Sequence, residues 1–154
     1  MEAKSDDRVL DVLVRLWAVH HGLQAVSKWM LTRLGVTAPQ RAVLRMASLH
    51  DAITPGELSR LLHTHPSTLT GVLRRLEGLG LIFRTGDPSD ARKMRLHVQP
   101  AGEAICNRTD GTVESALRRA VERMSTAQVD ALIAALGIVA EELENTAKSA
   151  RLSG

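Results

Sequence analysis

The first part of the chain carries apolar residues at helical spacing. Val9, Leu13, Leu16, Leu23, Met30 and Leu34 fall on one stripe with His20 in register, and Leu10, Trp17, Val26 and Trp29 widen it. That period predicts one amphipathic helix over residues 6–34, ended by Gly35. At 1.5 Å per residue it is about 40 Å long, more than one small domain needs for its own packing.

Capping chemistry places further helix starts. Thr37-Ala-Pro-Gln40 and Thr54-Pro-Gly-Glu57 each set a threonine three residues before Gln or Glu, with proline in the first turn. They predict helices to about His50 and about Leu62, joined through Asp51-Ala-Ile53. Ser125-Thr-Ala-Gln128 is a third such box. Behind it Val129, Leu132, Leu136, Val139 and Leu143 are spaced 3, 4, 3, 4, a seam suited to another helix. The tail after Lys148 is expected to fray. Pro66 opens a helix to about Leu79, stopped by Gly80. Pro100 opens one expected to reach about Met124 through a weak polar stretch at residues 107–111.

Between Gly80 and Pro100 the period changes to two. Residues 81–85 and 93–98 alternate, with Met94, Leu96 and Val98 on one face and Lys93, Arg95 and His97 on the other. Gly86-Asp-Pro-Ser-Asp90 supplies the turn. The expected architecture is mainly α, with about six helices and one β-hairpin. An N-terminal helix covers residues 1–35, a helix-turn-helix with a hairpin wing covers 36–99, and C-terminal helices cover 100–154. Nothing repeats with a period of 20–50 residues, so a solenoid is excluded.

The helix over 66–79 divides sharply on a wheel. Leu69, Val72, Leu73, Leu76 and Leu79 gather on one side; Ser67, Thr70, Gly71, Arg74 and Gly78 gather on the other, flanked by Thr68 and Arg75. The apolar side predicts packing on the two preceding helices. A front of small polar residues suits the floor of the DNA major groove. Glycine in mid-helix costs roughly 1 kcal/mol, and at Gly71 it lets backbone approach DNA closely. Arg74 is the candidate for a bidentate contact to guanine. Ser67 and Thr70 can read either base pair, while Arg75, Thr68 and the amides near Pro66 suit phosphates. Arg84, Arg92, Lys93 and Arg95 make the hairpin a basic finger for phosphates or the minor groove.

Charge and composition narrow the partner. The net charge is only +3, but residues 60–98 hold seven basic side chains against three acidic, whereas residues 101–154 hold six against eight. The positive charge therefore sits on the proposed DNA-facing module. Aromatic residues make up 2% of the chain and tyrosine is missing, which argues against single-strand or RNA binding by base stacking. Length and a 44% hydrophobic content suffice for one domain with a real core. The lone Cys106 excludes an intramolecular disulfide and fits a reducing compartment. Glu2, Lys4, Asp6, Asp7 and Arg8 do not read as a secretory leader, and no apolar run approaches the ~20 residues of a membrane span. A soluble, cytoplasmic chain is expected, with no membrane partner.

At this point the chain resembles the MarR family of winged helix-turn-helix transcription regulators. The matching residues are Pro39-Gln40 and Leu44; Thr54, Glu57 and Leu58; Ser67-Thr68-Leu69-Thr70, Leu73 and Arg75-Leu76-Glu77; Gly80-Leu81-Ile82; then Asp87-Pro88, Asp90-Ala91-Arg92 and Gly102. The resemblance runs from about Val36 to Gly102, and the flanking helices fit too. It implies a homodimer held by its first and last helices through Val9, Leu13, Leu16, Val129, Leu132, Leu136, Val139 and Leu143. It implies two winged lobes on a pseudo-palindromic duplex operator, with Arg92 in the minor groove and Asp90 orienting it. The chain departs from the family where Ala91 replaces a frequent arginine, and where Val98-Gln99 replaces the Leu-Thr that caps the next helix.

Other constellations carry less. The family's pockets bind small aromatic or phenolic anions that displace DNA, and Trp17, His20, Trp29, Met30 and Met46 are the candidates to line one here. His63 and His65 lack further metal ligands, so no metal and no cofactor is predicted. Cys106 reads as a buried, inert thiol. No nucleophile elbow, phosphate loop or metalloprotease motif occurs, so no catalysis is expected. The sequence thus predicts a DNA-binding regulator, most simply a repressor released by a small molecule. Alternatives are a protein-interaction module of the same fold that has lost DNA binding, and a thiol- or metal-responsive regulator.

Overall fold

In a computed structural model, which describes the backbone of residues 3–152 and the side chains of 7–90 and 92–151, the caps sit where the sequence places them. Helix α1 spans Ala3–Leu34. Helix α2 (Ala38–Leu49) starts at Thr37, whose hydroxyl accepts from the Gln40 amide while the Gln40 side chain accepts from the Thr37 amide. Helix α3 (Pro55–Leu61) repeats this reciprocal cap with Thr54 and Glu57. The two hydrogen bonds from Thr54 hold the Glu57 carboxyl below its ordinary range. Helix α4 (Pro66–Gly78) is capped by the His65 ring, which accepts from the Ser67 amide.

Strands β1 (Ile82–Asp87) and β2 (Asp90–Val98) pair antiparallel from Ile82↔Val98 to Gly86↔Met94, with an irregularity between Gly86 and Asp87. Both strands run further into the tip than expected, because the two-residue turn at Pro88-Ser89 leaves Asp87 opposite Asp90. β2 is also tied to the body: the Leu96 amide donates to the Ile53 carbonyl at 2.9 Å.

The helix predicted from Pro100 to about Met124 is two. Helix α5 (Pro100–Asn107) and helix α6 (Val113–Val121) are separated by a loop in which Gly111 takes φ +69°. The polar stretch there cannot continue an amphipathic face, and the left-handed glycine turns the chain. Helix α7 (Thr126–Leu152) opens with the Ser125/Gln128 cap. It stays helical past Lys148, where fraying was expected; residues 153–154 lie outside the described range. Seven helices and one hairpin result among the described residues.

The chain divides into two compact units, one ending at Val113 and one beginning at Glu114. The first holds the core: Met30 and Leu34 of α1, Leu44 of α2, Leu58 of α3, Leu69, Leu73 and Leu76 of α4, Ile82 and Leu96 of the hairpin, and Cys106 of α5. Each buried leucine contributes roughly 2 kcal/mol. α5 packs on α2, and Gly102 lets it come close, since a Cβ there would collide with the Leu81 carbonyl and crowd Val98. Pro100 starts α5 with no side-chain cap at Gln99, as the departure from the family pattern suggests. In the second unit, α6 and α7 present apolar side chains to solvent, among them Leu117, Leu132, Leu136 and Leu143.

Candidate nucleic-acid interface

Helix α4 is held from behind by apolar packing. Leu69, Leu73 and Leu76 are buried against α2 and α3, with Val72 half-buried. Leu79, expected on that side, is exposed because it is the C-cap, where the helix has already ended. Ser67, Thr68, Thr70, Gly71, Arg74 and Arg75 all lie exposed on the outward side. A Cβ on Gly71 would meet nothing in the chain, so internal packing does not demand glycine there. The Thr70 hydroxyl donates to the Pro66 carbonyl at 2.8 Å, which leaves its oxygen as an acceptor and its methyl as an apolar contact. The Ser67 hydroxyl lies 2.7 Å from His65 Nδ1. The Ser67 amide, one of those expected to hold phosphate, is therefore partly satisfied by the cap.

The wing sorts its charges into two groups. Arg92 and Lys93 are exposed near the tip. Asp90 accepts from the Arg92 amide at 3.0 Å and lies 3.8 Å from the Lys93 ammonium. The resemblance implies that Asp90 orients the Arg92 side chain; the bond in the structure is to the Arg92 backbone. Arg84 and Arg95 are turned to internal carboxylates. Arg84 forks onto Glu77 of α4, with both bonds 2.7 Å long. Arg95 places Nε and Nη2 on Asp87 Oδ2 at 2.8 Å. These two arginines, read from the sequence as DNA contacts, each meet a carboxylate of the same chain. A carboxylate within hydrogen-bond reach competes directly with a phosphate for the same donors.

The residues expected to line an effector pocket do not come together in the chain. Met30 is buried in the core, and Met46 packs against it. Trp17 meets His20 edge-on and stacks near His21, higher on α1 and exposed. Trp29 lines a cavity of about 420 Å³, together with Arg33, Asn107, Arg108, Thr109 and Asp110. Gly111 lies so close to the Trp29 ring that a Cβ would strike it. The break between α5 and α6 makes this cavity, and the polar run at 107–111 is its trace in the sequence.

Sequence reasoning missed Arg41 and Asp87. Arg41 is 1% exposed and donates to the Ile105 and Cys106 carbonyls at the end of α5, joined there by Arg45. Lone helix-end carbonyls attract such a cation. Its place three residues before Leu44, within an apolar stripe, was the available signal. Cys106 is buried, as the sequence suggests. Along the proposed seams Leu16, Val129 and Val139 are half-buried, and Val9, Leu13, Leu132, Leu136 and Leu143 are exposed in the single chain. No described helix is long and apolar enough to cross a membrane.

The sequence profile of the MarR family matches residues 36–94. An HTH-type transcriptional repressor of Mycobacterium tuberculosis is 30% identical over 124 residues, covering 80% of this chain and 88% of the relative. The chain belongs to the MarR family. Two crystal structures agree: a mutant MarR from E. coli complexed with operator DNA (TM-score 0.69, 26% identity, 86% of this chain and 95% of that one), and a MarR family transcription regulator (TM-score 0.70, 26% identity, 96% and 97%). As a MarR-family protein the chain is a winged helix-turn-helix DNA-binding transcriptional regulator and not an enzyme.

Proposed function

We propose that two copies of this chain bind one pseudo-palindromic duplex as a repressor, and that a small organic anion releases them. The observation that carries the reading is the outward face of α4: six small or basic residues stand exposed over a leucine-packed back. Arg74 reads guanine, Ser67 and Thr70 read neighbouring base edges, and Gly71 permits close approach. Thr68, Arg75 and Lys93 hold phosphates, and Arg92 enters the minor groove beside Asp90. The exposed Val9, Leu13, Leu132, Leu136 and Leu143, with the half-buried Leu16, Val129 and Val139 beside them, supply the apolar surface a second copy covers. Residues 1–35 and 100–154 then serve chiefly dimerisation, and residues 36–99 DNA binding.

The Trp29 cavity supports the effector part. Trp29 beside Arg33 and Arg108 suits a flat, aromatic carboxylate, since the two cations outnumber the single Asp110 in the lining. Selection of duplexes from a random library, with sedimentation of the complex, tests the whole. The expected result is a pseudo-palindrome with half-sites about one helical turn apart, bound by two copies. Absence of any enriched sequence sinks the reading.

A further inference from the structure

Arg95 is a wing cation whose guanidinium lies between Asp87 at the base of the tip and the body of the lobe. Asp87, its partner, is 8% exposed, and both of its oxygens are filled. Oδ2 accepts from Arg95, and Oδ1 accepts from the amide and hydroxyl of Ser89 at 2.7 and 2.6 Å. The same guanidinium reaches the Ala52 carbonyl at 3.5 Å, where Ala52 is held at φ +56° in the connector between α2 and α3. Leu96 bonds to Ile53, and His97 Nδ1 lies 3.7 Å from Asp51. Three successive residues of β2 thus meet Asp51, Ala52 and Ile53 of that connector.

The position of Asp87 gives this network its meaning. It stands at the irregularity where the ladder ends and the tip begins. From there the chain passes Ser89, bonded to Asp87, and Asp90, bonded to the Arg92 amide. A line of bonds therefore runs from the body, through Arg95 and Asp87, to the backbone of Arg92. Multiply bonded, largely buried carboxylates of this kind order a loop, because removing one partner strands the rest.

We propose that Arg95 is a positioning residue for DNA binding: its fork on Asp87 sets the pitch of the wing tip so that Arg92 meets the duplex, and Arg95 itself touches no DNA. This rests on the operator reading above. It makes a prediction opposite in sign to simple electrostatics. If Arg95 were a phosphate contact, neutralising Asp87 would release it and remove a repelling charge, and binding would tighten.

The test uses the full chain and the duplex enriched by the wild type from a random library. Affinity is measured by fluorescence anisotropy for Asp87→Asn, Arg95→Ala, Arg92→Ala and the Arg92/Arg95 double variant, with thermal unfolding alongside. Asp87→Asn is expected to bind about threefold or more weakly despite its extra positive charge, and the double variant to bind within about twofold of Arg92→Ala. A general loss of stability would add its penalty on top of Arg92→Ala; only a positioning role merges the two losses. Asp87→Asn binding as tightly as wild type or tighter, or additive losses in the double variant, overturns the proposal. Should Arg95→Ala unfold, the sign of the Asp87→Asn effect decides alone. If the wild type enriches no duplex, the operator reading falls and this inference with it; enrichment followed by tightening in Asp87→Asn removes this inference only.

Discussion

The recognition helix and the wing carry the same kind of residue and use it differently. On α4, Arg74 and Arg75 face outward and form no ion pair among the described residues. On the hairpin, two of four cations are locked to internal carboxylates, Arg84 to Glu77 and Arg95 to Asp87. Basic residues of one lobe thus differ in whether a carboxylate already occupies their donors. On the proposed reading, that difference separates a reader from a brace. The wing needs braces because a two-stranded ribbon has little core of its own and is marginal in isolation. α4 needs none, since three buried leucines seat it.

The comparison can be broken from its foundation upward. Leu76→Ala, at a fully buried site, is expected to cost about 2–5 kcal/mol of stability, read by denaturant unfolding, and to weaken both regions together. Arg74→Ala should lose about 1–3 kcal/mol on the selected duplex and relax preference at one base position in a repeated selection. An unchanged base preference would show that α4 does not read through Arg74. Arg92→Ala should weaken all duplexes nearly evenly and lower the salt slope of binding by about 1. Glu77→Gln, which unpairs the half-buried Arg84, should cost no more than ~1 kcal/mol in unfolding and leave base preference alone.

The smallest effect is one of pH. Hydrogen bonds from the Ser89 hydroxyl and amide, aided by Arg95, lower the Asp87 carboxyl from 3.8 to about 2. A depressed folded-state value means the stabilisation is fully present above the unfolded value and disappears as pH falls through the folded one. The wing tip should therefore hold its order down to about pH 4 and lose it toward pH 2. Carboxyl titration followed by NMR would show this, and a normal titration of Asp87 near 3.8 would mean the network is loose in solution.

Much of this protein is legible in its amino-acid sequence. The capping boxes at Thr37, Thr54 and Ser125 and the prolines at 66 and 100 set helix starts because capping is chemistry between neighbours. The two faces of α4 are readable because helical geometry converts spacing into direction. The family pattern, spread over residues 36–102, identifies the regulator.

Tertiary structure decided the rest, for one physical reason: partners distant in sequence carry no local signal. Whether Arg84 and Arg95 bind phosphate or carboxylate depends on Glu77 and Asp87, which the folded hairpin brings to them. Whether Arg41 is solvated or buried depends on the end of α5, more than sixty residues away. That Trp29 borders a cavity depends on the break after Asn107. The sequence alone determined most of the elements, their caps and the face of α4; the fold decided where the helix after Pro100 breaks and which charged residues meet internal carboxylates.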